Sequence, residues 1–222
     1  MQNKTRIHLT KSLNKGLKIA KGQYIARQDA DDISLPERLQ SQIAYMENNK
    51  DIGILGTSVE LIDIKGRNIR SLKGQSNTSF LKWHLLFSNP LIHSSVMVRS
   101  ELITSNGGYN DNFIKSQDYA LWSKLSQISK ITQLPSVLVK RRINYTSFDT
   151  DQFNTSVGIM HSNIKTFLKK NIPFDYCKLL RLVKHSPLKS REEYNIAFTL
   201  LLELKRDSKT FIPIPINIKY AL

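Results

Sequence analysis

The chain has 222 residues, of which 40% are hydrophobic and 9% aromatic, so it is long enough for one domain of ordinary size with a real core. A single cysteine excludes an internal disulfide and a thiolate cluster for zinc, and no window reaches the ~18 uninterrupted apolar residues of a membrane-spanning helix. The formal net charge of +15 favours polyanionic partners such as nucleic acid, anionic lipid or a nucleotide-linked substrate.

The first predicted elements are a helix and a short strand. Leu13, Leu17 and Ala20 recur at helical spacing among lysines, which predicts an amphipathic helix over residues 10–20. The segment "QYIARQ", residues 23–28, follows a glycine and is too short for a helix. Its aromatic and β-branched residues predict a buried strand.

An acidic cluster comes directly after this strand and contains Asp29, Asp31 and Asp32. Ser34 and Glu37 then match a capping box, which predicts that a helix begins after Ser34. The buried face of this helix is predicted to comprise three apolar residues at helical spacing: Leu39, Ile43 and Met46.

The rest of the chain continues the alternation of strands and helices. Strands are predicted over residues 52–61, 91–98 and 131–143. Helices are predicted over residues 78–87 and 118–128, and in the C-terminal region over residues 157–170, 174–184 and 192–205. This order predicts an α/β domain with a mixed sheet, followed by a small α-helical region. In such sheets ligands bind outside the carboxyl ends of the strands, where the acidic cluster falls.

The acidic cluster has two readings on its residues alone. Carboxylates in the order Asp-x-Asp-Asp on a tight turn can hold a divalent cation and leave its other positions to water and substrate phosphates, and the cation would offset their repulsion. Alternatively, Asp29 and Asp32 are solvated turn formers that gain about 0.3–1 kcal/mol from a helix macrodipole. A calcium-binding EF-hand loop is disfavoured, because Ser34, Pro36 and Arg38 do not supply its ligands.

Four segments in order resemble one protein family. Residues 12–42, "SLNKGLKIAKGQYIARQDADDISLPERLQSQ", resemble the central signature of the family 2 GT-A glycosyltransferases, with its Asn-x-Gly helix, Asp-x-Asp motif and "PERL" helix. The segments "DIGILGTSVELID", "NPLIHSSVMVRSELI" and "GGYNDNFIKSQDYALWSKL" resemble later parts of that family. The resemblance spans about residues 10–148 and implies a GT-A (Rossmann-like) mixed sheet flanked by helices.

The resemblance also implies roles on the donor side. Asp29 matches the aspartate that lies beside the ribose and sugar of a nucleotide-diphosphate sugar. Asp31 matches the ligand of the Mg²⁺ or Mn²⁺ ion that bridges the diphosphate, and Asp32 is assigned to the same metal site. Three further residues are expected at the donor pocket: Asn14, Gly16 and Arg27.

On the acceptor side, Asp118 in "SQDYALW" matches the catalytic base, although Gln117 stands where the family more often has an acid. An aspartate at the start of a helix is also often only an N-cap. His93 in "LIHSS" is expected to line the acceptor side, with a satisfied core histidine as the alternative. Arg142 is expected to meet the diphosphate, and Asn144 replaces a histidine of the family pattern.

The start of the chain departs from the family pattern. The family's first strand and the next strand, which contacts uracil, have no counterpart before Thr10, so we expect that about sixty to eighty residues, in βαβ units of roughly thirty, are absent. We therefore expect an N-terminally truncated GT-A domain over residues 1–150, with an apolar sheet edge at residues 24–26. A helical C-terminal region is expected over residues 151–222.

These observations predict an inverting, metal-dependent glycosyltransferase that moves a sugar from a nucleotide-diphosphate donor to a saccharide or lipid-linked acceptor in cell-surface polysaccharide synthesis. The single cysteine and the absence of an apolar leader indicate the cytoplasm, and basic helices after residue 160 indicate peripheral contact with anionic lipid at the inner face of the plasma membrane. An inactive fragment or a non-catalytic scaffold at the membrane is one alternative. A basic nucleic-acid-binding protein is another, but no motif of that class is present, so a nucleic-acid partner is not predicted.

Overall fold

The computed structural model describes residues 5, 7–143, 149–183 and 191–207. The helices are α1 (His8–Ile19), α2 (Arg38–Asn48), α3 (Thr78–His84), α4 (Ser100–Ser105), α5 (Gln117–Leu125), α6 (Thr150–Leu168), α7 (Phe174–Val183) and α8 (Arg191–Asp207), with a 3₁₀ turn at His93–Ser95. The strands are β1 (Tyr24–Ala26), β2 (Ile33–Ser34), β3 (Ile52–Ile62), β4 (Asn68–Leu72), β5 (Met97–Arg99) and β6 (Lys130–Arg142). The strand predicted over residues 91–98 is therefore shorter than expected, because the 3₁₀ turn occupies its middle.

The strands form one mixed sheet, which confirms the predicted α/β class. Their order is β1-β5-β3-β6-β2, and β4 pairs with β3 outside this path. Among the strands that the structure describes, β3 and β6 are the one parallel pair, and the other pairs are antiparallel. Strand β1 is an edge strand that pairs with β5 alone among the described strands, as the sequence indicated for residues 24–26. Its residues are half-buried or exposed, so the prediction that this strand is buried was wrong.

Strand β3 is buried along nearly its whole length, so the apolar alternation seen in its sequence does not mark an exposed face. Apart from Glu60, the positions between its apolar residues hold glycines and small hydroxyl residues, which allow close packing on both sides. At Gly53, a Cβ would lie 2.0 Å from Ser129 Oγ and 2.6 Å from a methyl carbon of Leu102. The strand therefore lies at the centre of the sheet. Side chains of neighbouring segments pack closer to its backbone than they could if larger residues stood at the glycine positions.

Helix α2 differs from its prediction at both its start and its buried face. Ser34 lies in β2 rather than at an N-cap, and α2 begins at Arg38 without a side-chain cap, so the predicted capping box is wrong. Leu39 and Ile43 are 50% and 40% exposed, whereas Arg38 and Gln42 are fully buried. The polar side of α2 therefore faces inward.

The inward position of Arg38 is explained by its hydrogen bonds. Its guanidinium donates to Gln42 Oε1 at 3.0 Å and to the main-chain carbonyl of Arg27 at 2.9 Å. Gln42 donates to the main-chain carbonyls of Leu55 at 3.1 Å and Ser95 at 2.9 Å. Burial, together with the nearby charge of Arg27, lowers the pKa of Arg38 to about 10, which leaves it charged at neutral pH. These bonds join α2 to the end of β1, to β3 and to the turn before β5.

Two apolar clusters lie on either side of α3. One packs the sheet against α5 around Trp122, which is fully buried, as the sequence predicted. The other packs α6, α7 and α8 against Trp83 and Phe87, so the predicted C-terminal helices rest directly on the α/β part of the chain. The proline-rich segment "FIPIPINI" lies outside the described residues. None of the helices that the structure describes has the length and apolar character needed to cross a bilayer.

Candidate active site

The three aspartates converge on the loop between β1 and β2. One carboxylate oxygen from each of Asp29, Asp31 and Asp32 lies within 4.8 Å of the others. The loop closes through a main-chain hydrogen bond from Asp32 to the carbonyl of Asp29 at 3.3 Å. Asp31 is exposed, and the other two are partly buried. The structure therefore brings together the carboxylates that the sequence assigned to donor and metal binding.

Asp29 is held by two residues on neighbouring elements. The buried guanidinium of Arg27 forms an ion pair with its carboxylate. Ser94 Oγ accepts from the Asp29 main-chain nitrogen at 3.1 Å and donates to Asp29 Oδ2 at 3.1 Å. Burial by itself would raise the pKa of Asp29, but the hydrogen bonds from Arg27 and Ser94 and the charge of Arg27 outweigh it and lower the pKa. Asp29 is therefore a fixed carboxylate at neutral pH.

Arg142 anchors the aspartate loop at the end of β6. Its main-chain nitrogen donates to Asp32 Oδ1 at 2.8 Å, and its Nε donates to the carbonyl of Asp31 at 3.1 Å. Its Nη1 donates to the carbonyls of Asp63 at 2.9 Å and Ile64 at 3.1 Å. The guanidinium thus orients the loop, and its contact with a diphosphate stays a prediction. Asn144 lies outside the described residues.

The donor set on this loop fits a divalent cation. Carboxylate oxygens are the ligands that Mg²⁺ and Mn²⁺ prefer. The carboxylate of Asp29 is already engaged with Arg27 and Ser94, so Asp31 and Asp32 have the oxygens best placed to hold an ion. Three clustered negative charges beside one buried guanidinium also favour an added positive charge.

A cavity of about 400 Å³ lies next to this loop and collects charged residues from distant parts of the chain. It is lined by Asp29 from the aspartate loop, His93 from the 3₁₀ turn, Asp118 from α5, Arg141 from β6 and Arg181 from α7. The fold therefore places Asp29 and Asp118 in one cavity although they are far apart in sequence. A volume in the range of about 300–1,000 Å³ is typical of small-ligand sites.

Asp118 lies in the first turn of α5. The N-cap of α5 is Ser116, in the left-handed region with a φ of 55°, so the alternative of an N-cap role for Asp118 is wrong. Asn89 Nδ2 donates to Asp118 Oδ2 at 2.8 Å. Burial raises the pKa of Asp118, although the main-chain N–H groups of Asp118 and Tyr119 act in the opposite direction. The carboxylate is therefore a stronger base than an exposed aspartate and is directed by Asn89.

His93 is a half-buried, neutral group. Its Nε2 lies 2.7 Å from the hydroxyl of Tyr109, and its ring is 6.0 Å from the ring of Trp122 in an edge arrangement. Burial, assisted by the charge of Arg27, lowers the pKa of His93 to about 3. It lines the cavity and also has the satisfied contacts of a core histidine, so its acceptor-side role stays a prediction.

Asn14 and Gly16 on α1 are not among the residues that line this cavity. Asn14 Nδ2 donates to the carbonyl of Tyr109 at 2.7 Å and to Asp111 Oδ1 at 2.8 Å. Its Oδ1 accepts from the main-chain nitrogen of Tyr109 at 2.9 Å, so the side chain holds the 109–111 loop against α1. Gly16 is exposed, with open space around its Cα. Their roles at a nucleotide stay predictions.

Four residues of the site were not predicted from the sequence: Ser94, Asn89, Arg141 and Arg181. Ser94 and Asn89 lie in the segment "NPLIHSS" beside His93, so that motif pointed to their neighbourhood. Arg181 lies in the C-terminal helical region, far from any motif, and only tertiary packing brings it to the cavity.

The sequence matches proteins of known family. Residues 1–98 match the family described as Glycosyl transferase family 2. The chain is 36% identical over 150 residues to an uncharacterized glycosyltransferase of Methanocaldococcus jannaschii, which covers 64% of this chain and 50% of that protein. It is 33% identical over 135 residues to the amylovoran biosynthesis glycosyltransferase AmsE of Erwinia amylovora, covering 60% of this chain and 50% of that protein.

A third relative is the O-antigen biosynthesis glycosyltransferase WbnJ of Escherichia coli, 37% identical over 117 residues, or 53% of this chain and 45% of that protein. The chain thus spans about half the length of these relatives. Among solved structures, S. aureus TarS 1-349 is similar with a TM-score of 0.55 at 15% identity, covering 96% of this chain and 63% of that one. The structure of GalNAc-T7 with UDP, GalNAc and Mn²⁺ is similar with a TM-score of 0.54 at 12% identity, covering 93% of this chain and 43% of that one.

Proposed function

Because this chain belongs to glycosyl transferase family 2 and has the GT-A fold, we propose that it transfers a sugar from a nucleotide-diphosphate donor to a hydroxyl of a saccharide or lipid-linked acceptor. The observation that carries the proposal is the shared cavity, which Asp29 and Asp118 both line. Relatives named for amylovoran and O-antigen biosynthesis support a place in cell-surface polysaccharide synthesis.

The aspartate loop forms the donor side of the proposed site. Asp31 and Asp32 would hold Mg²⁺ or Mn²⁺, and Asp29 would contact the donor's ribose and sugar. When bound, the ion supplies positive charge that stabilises a departing diphosphate. Arg27 keeps Asp29 ionised and in place, and Arg142 fixes the loop that carries the ligands.

Asp118 is the proposed general base. It takes the proton from the acceptor hydroxyl as that oxygen forms its bond to the anomeric carbon of the donor sugar. The bond from the anomeric carbon to the diphosphate breaks in the same displacement, and the diphosphate leaves with the electron pair. Attack opposite to the leaving group inverts the configuration. The raised pKa of Asp118 suits this role, because a stronger base accepts the proton more readily.

The test measures donor binding and sugar transfer by the purified chain. UDP-sugars are titrated into it with Mn²⁺ by calorimetry, and transfer is followed with saccharide acceptors. We expect Asp31→Asn to weaken Mn²⁺-dependent donor binding roughly tenfold or more. We expect Asp118→Asn to retain donor binding and to lower transfer roughly 10²–10⁴-fold.

The matched control is Asp175→Asn, because Asp175 is an exposed acid on α7. This variant should bind donor and transfer sugar as the wild type does. Donor binding that is unchanged in Asp31→Asn, or transfer that is unchanged in Asp118→Asn, contradicts the assigned roles.

A further inference from the structure

We propose that the acceptor carries an anionic group, a carboxylate or a phosphate, which Arg141 and Arg181 bind in the cavity beside Asp118. The inference rests on the proposed function, because it describes the acceptor half of the same site. It concerns two guanidinium groups that come from β6 and α7.

Arg181 is a half-buried cation with few partners. Its Nη1 donates to the main-chain carbonyl of Phe87 at 3.1 Å, and its Nε is buried without a hydrogen-bond partner. No carboxylate forms an ion pair with it among the residues that the structure describes. Burial accordingly lowers the pKa of Arg181, opposed by the nearby Tyr119. The guanidinium thus lies in a cavity that contains acids, but none of those acids forms an ion pair with it.

The acids of the cavity are largely committed to other partners. Asp29 is paired with Arg27, and Asp149 is paired with Lys115 at 2.7 Å. Asp118 accepts from Asn89 and is assigned to the acceptor hydroxyl. His93 adds no charge, because its pKa is lowered to about 3. Once these pairs are counted, Asp118 is the one carboxylate left to balance the charges of the two guanidinium groups, Arg141 and Arg181.

Arg141 is exposed, whereas Arg181 is half-buried and loses part of its hydration, so an anion bound beside it would compensate that loss. Guanidinium groups match the two oxygens of a carboxylate or phosphate with parallel hydrogen bonds, which a neutral sugar hydroxyl cannot reproduce. A cavity of about 400 Å³ has room for one sugar and its acidic substituent. A uronic acid or a sugar phosphate at the acceptor end therefore fits the charge and the volume better than a neutral sugar.

The experiment compares three probes of one size: methyl glucuronide, glucose 1-phosphate and methyl glucoside. Each is titrated into the wild-type chain and into Arg181→Met, Arg181→Lys, Arg141→Met and Lys178→Met. Lys178 is the matched control, since it is an exposed cation one turn away on the same helix. We expect at least one anionic probe to bind the wild type about tenfold more tightly than methyl glucoside.

Arg181→Met and Arg141→Met should each reduce this preference, and Lys178→Met should leave it unchanged. Arg181→Lys should keep part of the preference, because it retains the positive charge but not the paired N–H donors of the guanidinium. If Arg181→Met does not fold, Arg181→Lys replaces it in the comparison. A preference for the glucuronide alone identifies a carboxylate, and one for the phosphate alone identifies a phosphorylated acceptor. Equal binding of all three probes to the wild type, or equal preference in the Arg181, Arg141 and Lys178 variants, overturns the inference.

Donor binding with Mn²⁺ is measured on the same samples and separates this inference from the proposed function. If the wild type and Arg181→Lys bind a UDP-sugar alike while the anion preference is absent, the inference fails and the proposed function stands. If the chain binds no UDP-sugar yet prefers the anionic probes through Arg181, the cavity is an anion site and the proposed function fails.

Discussion

At the scale of single residues, Asp118 has opposite effects on activity and on stability. Its carboxylate is directed by Asn89 in the proposed site, and burial raises its pKa. A raised pKa means that the folded chain binds the proton more tightly than the unfolded chain does. Ionisation of Asp118 therefore costs folding free energy, and this cost grows as pH rises from the ordinary carboxyl value through the raised one.

We predict that Asp118→Asn, besides lowering transfer, increases the free energy of unfolding at neutral pH. The amide oxygen can still accept from Asn89, while the buried charge is removed. Urea unfolding at several pH values measures the effect, and the gain should shrink as pH falls towards the ordinary carboxyl pKa. Asp175→Asn, at an exposed position, should show no such gain. A loss of stability in Asp118→Asn at neutral pH contradicts the prediction.

At the scale of secondary-structure elements, Arg38 decides how α2 joins the sheet. It is 1% exposed and donates to the main-chain carbonyls of Arg27 at 2.9 Å and Val96 at 3.3 Å. We predict that Arg38→Met lowers the free energy of unfolding by roughly 3 kcal/mol or more, because it leaves buried acceptors without donors. Urea unfolding measures the loss.

Arg67→Met is the control for Arg38→Met. The side chain of Arg67 is 74% exposed and pairs with Asp63 on the surface, so its replacement should cost less than about 1 kcal/mol. An equal loss in both variants would mean that the buried hydrogen bonds of Arg38 contribute little.

Helix α8 joins the rest of the chain through apolar contacts in the C-terminal region. Leu204 is fully buried in the cluster that includes Trp83 and Phe87, whereas Leu202 is 50% exposed. We predict that Leu204→Ala lowers the free energy of unfolding by about 2–5 kcal/mol, and that Leu202→Ala costs much less. Thermal and urea unfolding of the two variants measure the difference. If both variants lose equally little free energy of unfolding, α8 does not stabilise the cluster. That result would support the predicted division of the chain near residue 150.

The predictions from sequence succeeded where local pattern decides the structure. Strands β3 and β6 and helices α5, α7 and α8 follow from apolar spacing, because one face or both must pack. Helix α6 was also predicted, but it begins at Thr150 rather than at Val157. Of the predicted buried face of α2, Met46 is buried, but Leu39 and Ile43 are not. Arg38 and Gln42 take the inward positions because they donate to carbonyls from distant segments, which a periodic pattern does not include.

The candidate site also depends on contacts between segments that are distant in the sequence. The aspartates and Asp118 were assigned through a resemblance to a family, and their convergence on one cavity required the fold. Arg181 could not be predicted, because no local feature of α7 distinguishes it from the other cations of that helical region.

At the scale of the whole molecule, the net charge of +15 favours an anionic surface. Lys165, Lys169 and Lys178 are exposed on or next to α6 and α7. We predict that the chain sediments with vesicles containing anionic lipid at low salt, since each basic residue near such a surface contributes about 1 kcal/mol. The chain should not sediment with neutral vesicles, which lack the attracting charge. Added salt should release it from anionic vesicles, because the attraction is screened. Failure to sediment at low salt contradicts the predicted membrane contact.

The two tryptophans of the chain occupy different apolar clusters, Trp83 in the one that includes α8 and Trp122 in the one that includes α5. Replacing either one by phenylalanine therefore leaves a protein with a single indole fluorophore. Emission from Trp83 would report the loosening of the C-terminal helices, and emission from Trp122, whose ring lies 6.0 Å from that of His93, would report changes beside the cavity. Comparing the two melting curves would show whether the two halves of the chain come apart together or in sequence.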